Sequence, residues 1–346
     1  MSANDASLDQ NPGRAKPPSA RRRSILARVS RSFYLSIRLL PKKLRDPVSL
    51  GYLLARASDT IADTVELPID LRTEKLKVLT RGIQGESLGQ AIVDLSASVA
   101  PLQKNKAERA LIESLQPCLE WLAQSKAPDR EQVRAVLKLI NRGQLLDLER
   151  FRNPKQLVAL KTAAELDEYT YLVAGSAGEF WTRLCFRHLP NFTTRSEPDM
   201  LTMAKRYGMS LQLINILRDA GADLRSGRCY FPDDELYAIS MDPSQILREP
   251  ERFQPIYRRW TDKAGRGIEA GVQYAAGIRN PRIRIATVLP ALIGARTLAL
   301  LRKAGATELH RHIKVPRKQV RAIVTSVALR FGAPSRINSL YRELSR

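Results

Sequence analysis

Residues 212–232 read QLINILRDAGADLRSGRCYFP, and the pattern in this stretch governs how the rest of the chain is understood. Its apolar residues recur at intervals of three and four, the period of an amphipathic helix, so it reads as the end of a helix spanning about 198–224. Gln212, Asn215, Asp219 and Asp223 stand at offsets 0, 3, 7 and 11, which places all four on one helical stripe. Flanked by apolar residues, such a stripe would ordinarily be apolar itself.

A second segment repeats the design. In GYLLARASDTIADT, Tyr52, Arg56, Asp59 and Asp63 stand at offsets 0, 4, 7 and 11. Aspartates four apart project carboxylates from adjacent turns, close enough to share hard cations, and Mg2+ prefers oxygen ligands combined with substrate phosphates. One Asp-x-x-x-Asp pair is more often a solvated acidic face. Two matched stripes favour metal chemistry, and if the helices face each other they enclose a diphosphate. Arg218 and Arg228 suit the same ligand, because guanidinium forks match phosphate oxygens; salt bridges to their acidic neighbours are the plainer reading.

Outward from these stripes the chain is helical. Apolar periodicity predicts helices over about 71–81, 107–123, 130–151, 163–186, 250–276, 282–303 and 317–331, with Pro47 in a first turn and strand-like alternation nearly absent. No glycine-rich phosphate loop follows a strand, so a Rossmann or P-loop domain is not supported. The longest apolar runs fall short of the ~20 residues of a membrane span, and the N-terminus lacks the apolar core of a secretory signal, so a cytoplasmic address is expected. Cys118, Cys185 and Cys229 are widely spaced and suggest neither disulfides nor zinc.

The net charge of +22 is unevenly placed. Residues 1–46 hold 11 basic and 3 acidic side chains, residues 279–346 hold 15 and 2, and the chain between is nearly neutral. Basic ends suit phosphorylated substrates or peripheral contact with an anionic membrane; no nucleic acid is expected as a partner. Residues 1–22, rich in Pro, Ser and Arg, read as a basic disordered tail ahead of a single domain over 23–346.

The segments SRSFYLS, YLLARASDTIADT, YTYLVAGSAGEFW and QLINILRDAGADLRSGRCYFP occur in that order over residues 30–232. Together they resemble the signature segments of the squalene/phytoene synthases, the trans head-to-head prenyl synthases, and are most similar to bacterial squalene synthase-like members. The resemblance implies an all-α isoprenoid synthase bundle around a central substrate cavity. It implies that Asp59, Asp63, Asp219 and Asp223 hold Mg2+ against the diphosphates of two prenyl substrates. Ser30, Arg31, Ser32 and Phe33 match the segment closing over the diphosphate end, and Arg56, Arg218 and Arg228 match phosphate-contacting arginines; Tyr52, Gln212 and Asn215 complete the substrate set. Tyr169 matches the tyrosine associated with proton removal, with Tyr171 its nearest rival. The stretch HIKVPRKQV, with Lys314, Arg317 and Lys318, resembles the basic segment linked to NADPH phosphates in squalene synthases, while a solvated basic helix start is an equal reading. His188, His310 and His312 match no family motif.

The expected reaction is condensation of two farnesyl diphosphates through presqualene diphosphate, with NADPH reduction to squalene by a monomer. Phytoene, dehydrosqualene or hydroxysqualene formation without a reductant is the alternative. A basic helical lipid- or nucleic-acid-binding protein is the non-enzyme alternative. A hydrophobic C-terminal anchor like that of eukaryotic squalene synthases is not seen in SRINSLYRELSR, so membrane contact would be peripheral.

Overall fold

The computed structural model describes residues 37, 40–329 and 334–346. Ser30, Arg31, Ser32 and Phe33, and the tail assigned to 1–22, lie outside the described residues. The elements run α1 (Lys42–Asp63), α2 (Ile69–Gln84), α3 (Gly89–Val99), α4 (Lys106–Ile112), α5 (Leu115–Ala123), α6 (Ala127–Arg150), β1 (Val158–Leu160), α7 (Ala163–Thr170), α8 (Ser176–His188), α9 (Glu197–Arg225), β2 (Arg228–Pro232), α10 (Asp233–Tyr237), α11 (Pro250–Gly277), α12 (Pro281–Ala304), α13 (Arg317–Leu329) and α14 (Pro334–Leu344). The all-α expectation holds.

Local chemistry sets the boundaries. Ser196 caps α9 by accepting the Asp199 N–H, and Asn280 caps α12 by accepting from Arg282 and Ile283. Gly227, at φ +83°, turns the chain from α9 into β2, and a Cβ there would stand 2.8 Å from the Pro154 carbonyl oxygen. Only glycine meets both conditions, which explains the Gly-Arg that follows the second acidic stripe.

Four expectations about the elements themselves change. Pro47 lies inside α1 rather than in its first turn, because the helix already begins at Lys42; so near the start, its missing N–H costs a single intrahelical bond. The helix read over 107–123 breaks between Ile112 and Leu115. The helix read over 163–186 is continuous in direction but contains a π-helical turn at Tyr171–Gly175. A short parallel pair, β1 with β2, was not visible as alternation because five-residue β2 is buried along nearly its whole length.

Buried side chains form two core clusters. One gathers α1 to α6 with parts of α8, and the other gathers α9, α11, α12, α13 and α14. Helix α12 is long and apolar enough to cross a bilayer by length and composition, contrary to the sequence estimate, yet 56% of its apolar window is buried inside the protein. The three cysteines are free and buried.

Candidate active site

Helices α1 and α9 each carry apolar residues in mid-helix and a pair of aspartates near the C-terminal end. A cavity of about 320 Å³ is lined by Val48 of α1, by Ala204, Gly208 and Leu211 of α9, and by Val173 and Trp181. From Val48 to Asp59 and from Gly208 to Asp219 are eleven residues each, or ~16 Å of helix. Each helix therefore reaches its aspartates after the same rise from the cavity.

The π turn fits this packing. A Cβ on Gly208 would stand 2.3 Å from the Ala174 carbonyl oxygen, and one on Gly178 would stand 2.3 Å from that of Ala204. Backbone meets backbone at this crossing, so the small residues in AGSAG serve helix contact and line the cavity at once.

Beyond the cavity the acids converge. Burial pushes the Asp59 carboxyl up to about 7, with the Asp63 charge adding to the rise and Arg56 opposing it. Burial likewise raises Asp63, against the pull of Arg228 and Arg56. Asp223 is pushed up to about 7 by burial, opposed by Arg228 and reinforced by Asp219, Asp147 and Asp63. Asp63 of α1 and Asp223 of α9 thus share one field, and Arg228 sits in it, with Nη2 3.3 Å from Asp223.

The remaining motif residues are placed as follows. Arg56 pairs with Glu108 and lies 4.0 Å from Asp59. Arg218 Nε donates to Asp219 at 2.9 Å and Arg228 Nη2 lies 3.3 Å from Asp223, so Arg218 and Arg228 do form the salt bridges of the plainer reading. Asn215 donates to Gln212 at 3.3 Å. Tyr52 is half-buried against the first core cluster. Tyr169 is buried and stacked on Tyr230 with ring centroids 5.2 Å apart. Tyr171 instead donates to Glu179 at 3.3 Å and packs under Lys205, away from the acids. Lys314, Arg317 and Lys318 are exposed and have no acidic partner among the described residues.

Several residues at this site escaped the sequence reading. Asp147 of α6 accepts a 2.6 Å hydrogen bond from Tyr230, and burial lifts its carboxyl to about 6. Gln144 donates to Asp59 at 2.5 Å. The two stand at i, i+3 among Leu145, Leu146 and Leu148, the same signal of polar residues in an apolar stretch that marked the other stripes. His312 was given no role, yet its Nδ1 lies 3.2 Å from Asp219 Oδ1. The carbonyl of Leu309 seats on Gly221, where a Cβ would come within 1.7 Å, and this contact brings the 305–312 segment onto α9.

Among the described residues no three His, Cys, Asp or Glu side chains form a ready-made metal cage. The donor set still fits Mg2+, which commonly takes one or two carboxylates and completes its shell with water and substrate phosphates. Buried acids raised by one another's charge are also those a dication would relieve. For a nicotinamide cofactor, the three unpartnered cations at 314–318 fit its phosphates, and they follow His312 directly.

Residues 26–319 match the squalene/phytoene synthase family, and the chain belongs to it. Members of this family are head-to-head prenyltransferases that act on prenyl diphosphates. A bifunctional lycopene cyclase/phytoene synthase of Colletotrichum graminicola is 29% identical over 69% of this chain, which spans about two-fifths (39%) of that protein's length. The squalene synthase of Saccharomyces cerevisiae is 26% identical over 84% of this chain and 63% of its own. In structure, the complex of TcSQS with the ligand BPH1237 superposes with a TM-score of 0.71 at 21% identity, covering 95% of this chain and 98% of that one, a likeness of fold.

Proposed function

We propose that the chain joins two farnesyl diphosphates head to head through presqualene diphosphate and reduces the product to squalene with NADPH. The observation that carries the reading is the pairing of an apolar cavity lined by both α1 and α9 with the aspartates the same two helices carry further along, where Asp63 and Asp223 act on each other. That arrangement suits a substrate with a hydrocarbon tail and a diphosphate head.

Mg2+, held by Asp59, Asp63, Asp219 and Asp223, would stabilise the negative charge of the departing diphosphate. Arg228, Arg218 and Arg56 add fixed positive charge at the same end. The apolar walls keep water from the carbocation. Tyr169 takes the proton lost on cyclopropane closure while its own passes to Tyr230, whose ring stacks on it, and that of Tyr230 passes to the Asp147 carboxylate it already donates to. Lys314, Arg317 and Lys318 would bind the reductant's phosphates. The basic stretch at 279–346 supports peripheral contact of a cytoplasmic enzyme with an anionic membrane.

A second reading, phytoene formation from geranylgeranyl diphosphate without a reductant, is favoured by the identity to phytoene synthases. Product analysis with Mg2+ and farnesyl diphosphate, with and without NADPH, tests the proposal. Squalene only with NADPH supports it. Inertness toward farnesyl diphosphate with turnover of geranylgeranyl diphosphate transfers the assignment to phytoene.

A further inference from the structure

A second cavity, of about 380 Å³, lies at the other pole of the molecule. Its floor is apolar, built from Pro47, Leu50, Trp121 and Val133, and its polar lining includes Lys42, Lys43, Lys126, Asp46, Asp129 and His188. Along α1, Lys43 precedes Asp59 by sixteen residues, ~24 Å of helix, and along α6 Asp129 precedes Gln144 by fifteen, ~22 Å. Two independent helices therefore put this cavity far from the converging aspartates. Val48 faces the apolar cavity whereas Pro47 and Leu50 face this one, so the first turns of α1 separate the two.

Charge within the cavity is not balanced. Asp129 is already engaged, its Oδ1 2.7 Å from His188 Nε2, with both side chains nearly buried. His188 Nδ1 has no partner among the described residues. Lys42, Lys43 and Lys126 form no ion pair among the described residues, and the cavity lining sets two carboxylates, Asp46 and Asp129, against these three ammonium groups. Like charges that converge on a concavity with fewer carboxylates than ammonium groups repel one another, and an anion seated between them removes that cost. Lysines hold phosphoryl oxygens as mobile point charges, and the indole floor accepts an apolar body. The volume falls within the ~300–1,000 Å³ of small-molecule sites.

We propose that this cavity binds a phosphoryl group attached to or accompanied by an apolar body, without a metal ion and independently of the reaction at the aspartates. The phosphoryl group could belong to a lipid head or to a free diphosphate. Titration calorimetry in EDTA, with tryptophan emission read in parallel, separates these sources through two probes, inorganic diphosphate and soluble dihexanoyl phosphatidic acid.

Saturable, salt-sensitive binding of either probe to the wild type is expected, and the probe that binds names the source. Binding persists in Asp59→Asn/Asp219→Asn. It weakens at least about tenfold in Lys42→Ala/Lys43→Ala/Lys126→Ala, returns in the corresponding triple Lys→Arg variant, and changes emission in the wild type but not in Trp121→Phe. The alanine triple, whose residues are exposed and outside the active site, melts and turns over substrate as the wild type does. The proposal is overturned if neither probe binds saturably, or if the alanine triple binds as tightly as the wild type.

Discussion

The Tyr230 hydroxyl donates a 2.6 Å hydrogen bond to Asp147, tying the strand after the second acidic stripe to a helix that carries neither stripe. Tyr169 stacks on the same tyrosine, so three elements distant in sequence are joined beside the aspartates. Removal of the acceptor with Asp147→Ala leaves a buried hydroxyl unpaired and is expected to cost about 1–3 kcal/mol in a denaturant melt. Asp147→Asn keeps an acceptor and most of the stability, but it removes the proton's destination, so product formation falls while Mg2+-dependent binding of substrate persists. Equal loss of binding and turnover would refute this division.

Tyr169→Phe is expected to reduce product formation by a factor of roughly 10²–10⁴, the range of a lost proton-transfer group, with a wild-type melt. Tyr171→Phe, which removes only the contact to Glu179, should remain near wild type. Quantified product from matched preparations decides between the two tyrosines.

The pH dependence of the metal-free protein follows from the raised carboxyls. Asp59 and Asp223 stand at about 7 and Asp147 at about 6, against an ordinary value of 3.8. The folded state holds protons there that the unfolded chain has released, so this contribution to stability is full below about pH 4 and is lost as pH rises through 6 to 7. Melting in EDTA should show that decline. The stabilisation added by Mg2+ should grow over the same window, because the cation competes with fewer protons. A Mg2+ effect independent of pH from 5 to 8 would argue against carboxylate ligation.

Gly208→Ala places a Cβ 2.3 Å from the Ala174 carbonyl oxygen, where backbone cannot yield cheaply. A loss of about 1–3 kcal/mol and a fall in turnover are expected as the π turn shifts. Gly89→Ala, with open space around it at the start of α3, should be neutral or stabilising, and paired melts provide the comparison.

Much of this site was legible in the sequence because helical spacing is a local property. Asp59 with Asp63 and Asp219 with Asp223 could be read as stripes without knowledge of any tertiary contact, and the family segments supplied their partnership. Asp147 and Gln144 showed the same polar-in-apolar signal but no repeated design to single them out. His312 could not be read, since its approach to Asp219 depends on the Leu309 carbonyl seating on Gly221 across nearly ninety residues. The π turn was hidden for a similar reason, as it answers to the closeness of α9 rather than to the composition of YLVAG. The β1–β2 pair depends on one glycine turn and on partners seventy residues apart.

The central claim is that acids from two helices form a single diphosphate site. A double-mutant cycle on Mg2+-dependent diphosphate release, using Asp63→Asn, Asp223→Asn and the pair, tests it most directly. If the carboxylates act on one leaving group, each single variant loses nearly all activity and the double variant loses little more than either. Independent, additive losses, or a single variant that keeps full release, would contradict the account.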